Sequence, residues 1–216
     1  MAKRPMGATR VRSVLFTKDG IEIDLDATPY DRLAWHFAAQ LNALRLPYAM
    51  VAGYPSILLG RSRTSEDIDV LASPLPLSKF VRLHRRLIRR LECLAPGSAE
   101  SLFAEYLDAG AESTSVRYSW PSDAVPNVEF KFTSNAVHAH SVSQRIRVRA
   151  NGHLIQIGPL GVQIGYKLSL GGQKDLEDAR WIYKLAKGHF DEQEIWETAR
   201  KLRIDLRKAR RDLGVD

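Results

Sequence analysis

Residues Val51 to Ala72 read VAGYPSILLGRSRTSEDIDVLA. The closing DIDVLA alternates, so Asp67 and Asp69 fall on one side of an extended chain and Ile68 and Val70 on the other. A strand with one apolar face and two carboxylates on the opposite face fits this pattern. The two aspartates then lie about 6 to 7 Å apart at Cα. Unpaired, they would repel and raise each other's pKa. A hard divalent cation removes the conflict, since Mg²⁺ takes one or two carboxylates together with substrate phosphates. Pairing with Arg61 and Arg63 would remove it as well, and spacing alone leaves both readings open.

The residues just upstream favour the metal. Tyr48 to Ala52 reads as a short strand ended by Gly53, and Tyr54 to Leu59 as a short helix. Pro55 falls in its first turn, where a missing N–H costs nothing. Glycine at the bend allows close backbone approach, and free N–H groups at a helix start attract phosphate. Arg61 and Arg63 add guanidinium donors for a polyphosphate. Metal, backbone donors and arginines are the parts that nucleotidyl transfer needs.

The whole segment resembles the signature of the minimal nucleotidyltransferase fold, the DNA polymerase β-like superfamily. Its closer resemblance is to the AbiEii-like toxin group, whose pattern runs Gly-Gly-Tyr-Ala and then Gly-Arg-x-Arg-x-Thr-x-Asp-Ile-Asp. This chain has Ala52-Gly53-Tyr54-Pro55 and then Gly60 to Asp69, GRSRTSEDID. The acidic half matches closely. The glycine half departs, with Ala52 in place of the first glycine and Pro55 in place of a small residue. Further on, KLSLGGQKDLEDARWI (Lys167 to Ile182) resembles the group's lysine followed by Asp-x-x-Asp.

The resemblance implies a set of roles. Asp67 and Asp69 hold Mg²⁺ or Mn²⁺. Gly53, Tyr54, Arg61, Arg63 and Thr64 bind the nucleoside triphosphate, ATP among the choices. Lys167 contacts phosphate, and Asp175 and Asp178 orient it or the basic loop. A third carboxylate is expected on a neighbouring strand. Asn127 to Thr133, NVEFKFT, alternates cleanly and puts Glu129 and Lys131 on the polar side, so Glu129 is the candidate for metal ligand and base, with Asp123 as a fallback. The acceptor implied is RNA such as tRNA, or a partner protein, in a toxin–antitoxin setting. A module that binds nucleotide or RNA with weak chemistry or none is the alternative that Ala52 leaves open.

The rest of the chain frames this site. Val11 to Leu25 is a hairpin turning at Lys18-Asp19-Gly20, and Arg145 to Ile157 another turning at Asn151-Gly152. Helices are expected from Thr28 or Asp31 to about Leu46, and from Lys79 to about Leu94 behind Ser78. Residues 98 to 126 give no pattern. After Pro159 the periodicity is helical to the end. The expected fold is therefore α/β (α+β): a small mixed sheet with flanking helices over residues 1 to 158, and a helical C-terminal lobe over residues 159 to 216.

Composition sets the outer bounds. A hydrophobic content of 44% over 216 residues supports a core without disulfide or metal staples. The lone Cys93 cannot form an internal disulfide; read as a buried thiol in a helix, it points to a cytoplasmic protein. No run is long enough to span a membrane, and the basic start, MAKRPMGATRVRS, has no apolar core of a secretory signal. The net charge of +7 favours an anionic partner. Two basic helical stretches, Arg82 to Arg90 and Arg200 to Arg211, are the surfaces on which it would bind. His138 and His140 would share a face if extended.

Overall fold

The structure is a computed structural model that describes residues 10–110 and 113–215. The basic start of the chain, residues 1–9, lies outside the described residues. A hairpin opens the sheet. β1 (Val11–Thr17) and β2 (Gly20–Leu25) pair antiparallel. Next come α1 (Pro29–Ala43), β3 (Tyr48–Met50), α2 (Gly53–Leu58) and β4 (Asp67–Ala72). α3 (Leu77–Leu87), β5 (Glu92–Cys93) and α4 (Ala99–Leu102) follow, and a π-helical turn (Phe103–Leu107) leads to β6 (Val116–Ser119). β7 (Asn127–Phe132), α5 (Ala136–Ser143), β8 (Ile146–Ala150) and β9 (His153–Ile157) complete the sheet. Four helices end the chain: α6 (Leu160–Leu170), α7 (Gln173–Ala186), α8 (Gln193–Lys201) and α9 (Leu206–Leu213).

The strands form one mixed sheet in the order β1-β2-β8-β9-β3-β4-β7-β6-β5. The α/β class expected from the sequence is the class observed. Of the two cap candidates Thr28 is the N-cap, and it bonds reciprocally with Asp31 in a capping box. At the second hairpin Asn151 and Gly152 both take positive φ, as a tight two-residue turn requires. Behind the sheet, Ile68, Val70, Val128 and Phe130 are fully buried, with Phe37 of α1 against Phe130 and Tyr118. Gly165 lets α6 approach α8 closely: a Cβ there would stand 2.8 Å from the Ile195 carbonyl oxygen.

Local expectations fail at several points, and at the first of them long-range strand pairing overrides the local pattern. The helix expected over 79 to 94 begins at Leu77 behind Pro76 and ends at Leu87, so Ser78 lies inside it. Glu92 and Cys93 extend instead to pair with Ser119 and Tyr118, adding an edge strand. Cys93 is therefore a half-buried strand residue, and burial raises its thiol pKa. α1 stops at Ala43, where Leu46 turns back to bond the Leu41 carbonyl. His138 and His140 sit on α5, two residues apart on a helix, and so do not share a face.

Candidate functional site

β4 and β7 run parallel in a register that sets Asp67 opposite Asn127, Asp69 opposite Glu129 and Leu71 opposite Lys131. Alternation carries Asp67 and Asp69 to one face with Glu129 and Lys131, while Ile68 and Val128 enter the core. The face is acidic but not bare. Lys131 Nζ donates to Asp69 Oδ1 at 2.7 Å. Arg117, on β6 directly across from Glu129, pairs with Glu129 Oε1 at 2.5 Å. Burial alone would lower the Lys131 pKa, but the Asp69 carboxylate and the Glu129 charge outweigh it and raise the value. The Asp67 carboxylate has no salt bridge among the described residues. Its backbone is pinned instead, the carbonyl accepting from the Tyr30 hydroxyl at 2.6 Å. Burial drives the Tyr30 pKa up, so this donor stays protonated.

Arg61 and Arg63 do not pair with the strand aspartates. Both guanidinium groups reach α7 and grip opposite oxygens of Asp178. Lys167 of α6 donates to the same carboxylate at 2.6 Å, with Asp175 at 3.6 Å from its ammonium. Asp178 is wholly buried, and Lys167 is 2% exposed. Arg61 also pairs with Glu177, and the Trp181 indole N–H bonds the Leu59 carbonyl. Helices α6 and α7 thus hold the loop from Leu59 to Arg63 from below. Gly53 makes room for that loop: a Cβ there would meet Arg63 Nη2 at 3.1 Å and Ser65 Oγ at 3.2 Å.

Tyr54 is fully buried and packs edge-on against Tyr30, whereas Thr64 is exposed. Asp123 lies on an exposed turn before β7, off the strand pair. Ala52 adopts φ 57°, ψ −115°, a conformation that favours glycine. It lines a cavity of ≈ 70 Å³ with Asp69, Lys131, His138, Gln163 and Tyr166. A larger groove of ≈ 790 Å³, between Phe16–Ile21 and Arg145–Arg147, shares no residue with the acidic face.

No family model matches the sequence, and no curated protein matches it. Solved structures do match the fold. An antigenic nucleotidyltransferase-like protein from Paracoccidioides brasiliensis gives a TM-score of 0.52 at 18% identity, over 86% of this chain and 90% of its own. ANT(2'')-Ia in complex with adenylyl-2''-tobramycin gives 0.51 at 12% identity, over 82% and 98%. This chain has the nucleotidyltransferase-like fold.

In that nucleotidyltransferase-like frame the donor set can be tested against a metal. Among the described residues no three of His, Cys, Asp and Glu form a group that could hold a metal ion. Mg²⁺ needs only one or two carboxylates when a polyphosphate supplies the rest, and Asp67 and Asp69 meet that requirement. A further oxygen is at hand. Asn127 Oδ1 is buried without a hydrogen-bond partner, in register opposite Asp67. An orphaned acceptor of this kind fits a hard cation or its water. Sequence reasoning passed over Asn127, Arg117 and Tyr30. Asn127 could have been found, since it sits two residues before Glu129 on the same face; the other two carry no local signal.

Proposed function

We propose that this chain transfers a nucleoside monophosphate from a nucleoside triphosphate to a hydroxyl acceptor, releasing pyrophosphate. The observation that carries this reading is the pair Asp67 and Asp69 on the open face of β4, with Glu129 directly opposite. These aspartates hold Mg²⁺ or Mn²⁺, which when bound neutralises the triphosphate and the departing pyrophosphate. Arg61 and Arg63 each keep guanidinium N–H groups beyond those given to Asp178 and, for Arg61, to Glu177, and these are the donors available to phosphate oxygens. Lys167 and Asp178 act through them, fixing the arginines so that little ordering is left for binding. The acceptor oxygen bonds to the α-phosphorus, the bond to the bridging oxygen of pyrophosphate breaks, and Glu129 receives the hydroxyl proton.

RNA is the acceptor class best supported. Arg82, Arg85, Arg89 and Arg90 are exposed on and just after α3, and none forms a salt bridge among the described residues. Such a surface suits a phosphate backbone. The match of Gly60 to Asp69 with the AbiEii-like pattern supports membership of that group and a toxin–antitoxin role. A second reading, binding without turnover, draws on one observation: the strained Ala52 beside Asp69.

The test is incubation with each labelled triphosphate and Mg²⁺, with total RNA or with protein alone. Label in RNA that is lost on chelation of the metal supports the proposal. Label in protein moves the acceptor to a polypeptide. Tight triphosphate binding with no transfer to either supports the second reading.

A further inference from the structure

Two of the three carboxylates on the acidic face are already matched by cations of the chain itself. Lys131 Nζ stands 2.7 Å from Asp69 Oδ1, and Arg117 Nη2 stands 2.5 Å from Glu129 Oε1. The register makes this arrangement structural rather than incidental. Glu129 and Lys131 alternate on one face of β7, Arg117 is the direct cross-strand neighbour of Glu129, and Asp69 is its neighbour on the other side. Two-metal phosphoryl-transfer sites place their cations about 3.5 to 4 Å apart, one toward the attacking oxygen and one toward the leaving oxygen. The two carboxylates that would help hold such a pair, those of Asp69 and Glu129, are here matched by an ammonium and a guanidinium. Of the three carboxylates, Asp67 alone has no salt bridge among the described residues, and the orphaned Asn127 Oδ1 lies across from it.

We propose that the chain binds its nucleotide with one divalent cation instead of two, Lys131 and Arg117 supplying the charge of the second. This rests on the nucleotidyl-transfer reading above and deepens it. The charge balance agrees. Three carboxylates and these two cations leave the face with one net negative charge. One divalent ion then brings it to the balance that three bare carboxylates reach with two ions. Asp67 and Asp69 hold the single ion, and Glu129 remains with Arg117. Lysine suits the role because its ammonium is a compact, strongly hydrated point charge with three donors. It can face Asp69 and an incoming phosphate oxygen together.

The experiment counts metal without requiring turnover. Mn²⁺ is titrated into the protein with a non-hydrolysable α,β-methylene triphosphate, and bound ion is read by electron paramagnetic resonance. One ion per chain is expected. Lys131→Met keeps the length of the side chain and removes its charge. It should admit a second ion, or tighten a weak second site by about tenfold, as expected for deleting a cation beside two carboxylates. Arg117, which is 55% exposed, gives an independent variant should Lys131→Met fail to fold. Arg117→Met is expected to act in the same direction. Two ions of similar affinity in the wild-type chain would overturn the inference and leave the transfer reading standing. A count of one that neither variant alters would overturn the assigned role of the two cations. No bound ion with the analogue present would overturn this inference and the metal-dependent reading together.

Discussion

The ammonium of Lys167 donates to the carboxylate of Asp178 across 2.6 Å, and both side chains are sealed from solvent. The same carboxylate takes Arg61 and Arg63. Asp178 is therefore a hub that joins α6 and α7 to the loop after α2. Asp178→Ala leaves three cations with little access to water. The expected loss is about 3 to 5 kcal/mol of stability. Asp175→Ala, at a longer and more exposed contact, should lose no more than about 1 kcal/mol. Urea unfolding of both variants checks the difference, and equal losses would contradict the hub.

Asp67→Asn and Asp69→Asn should abolish divalent-dependent triphosphate binding. Both aspartates are only partly buried, so the folded state should persist. Calorimetric titration with Mg²⁺ and nucleotide measures the loss, and circular dichroism reports the fold. Unchanged affinity in either variant would remove that aspartate from the site.

Ala52→Gly should stabilise the chain. A non-glycine residue in a sparsely populated backbone region costs about 1 to 3 kcal/mol, while glycine adds back about 0.5 to 1 kcal/mol of unfolded-state entropy. The net gain is about 1 kcal/mol, a rise in Tm of about 2 to 4 °C for a chain of this length. A fall in Tm would show that Ala52 is not strained. The variant also opens the bend beside Asp69, so nucleotide affinity should rise with it.

Burial lowers the pKa of His84, whose Nδ1 lies 2.9 Å from the Tyr118 hydroxyl; the nearby Glu100 charge opposes the shift only in part. The folded state therefore favours neutral imidazole. That stability is fully present above the unfolded histidine pKa of about 6.5 and is lost as pH falls below it. Burial lowers His36 in the same direction. Unfolding free energy should be smaller at pH 5.5 than at pH 7.5, and His84→Gln should flatten part of that slope. A slope unchanged by the substitution would contradict the assignment.

If RNA binds along α3, affinity should fall steeply with salt, because each neutralised phosphate releases counterion. Three or four engaged arginines predict a slope of about −2 to −4 in log affinity against log salt. Reversing Arg85, Arg89 and Arg90 to glutamate should flatten the line while triphosphate binding holds. Salt-independent RNA affinity in the wild-type chain would exclude this surface.

What the sequence made legible was what is encoded within a few residues. DIDVLA and NVEFKF announced their strands and faces by alternation, and Asn151-Gly152 announced its turn. Glycine and proline bounded α2. The partners of the charged groups were not legible. Lys131 meets Asp69 across 62 positions, and Arg61 meets Asp178 across 117. No local pattern distinguishes such pairs from arginines meeting the nearest aspartates. The edge strand at Glu92 was missed for the same reason, since its hydrogen bonds come from β6.

The parallel pairing of β4 with β7 also orders events in time. Parallel strands cannot be joined by a tight turn, so the chain between Ala72 and Asn127 must cross over before Asp69 and Glu129 face each other. Contacts of such long separation form slowly. During synthesis Asp67 and Asp69 emerge with neither Glu129 nor Lys131 to balance them, and Arg61 and Arg63 wait longer still, until Asp178 has left the ribosome. The proposed nucleotide site thus assembles in two instalments, the acidic face with β7 and the fixed arginines with α7, so a chain interrupted between them would carry the first without the second.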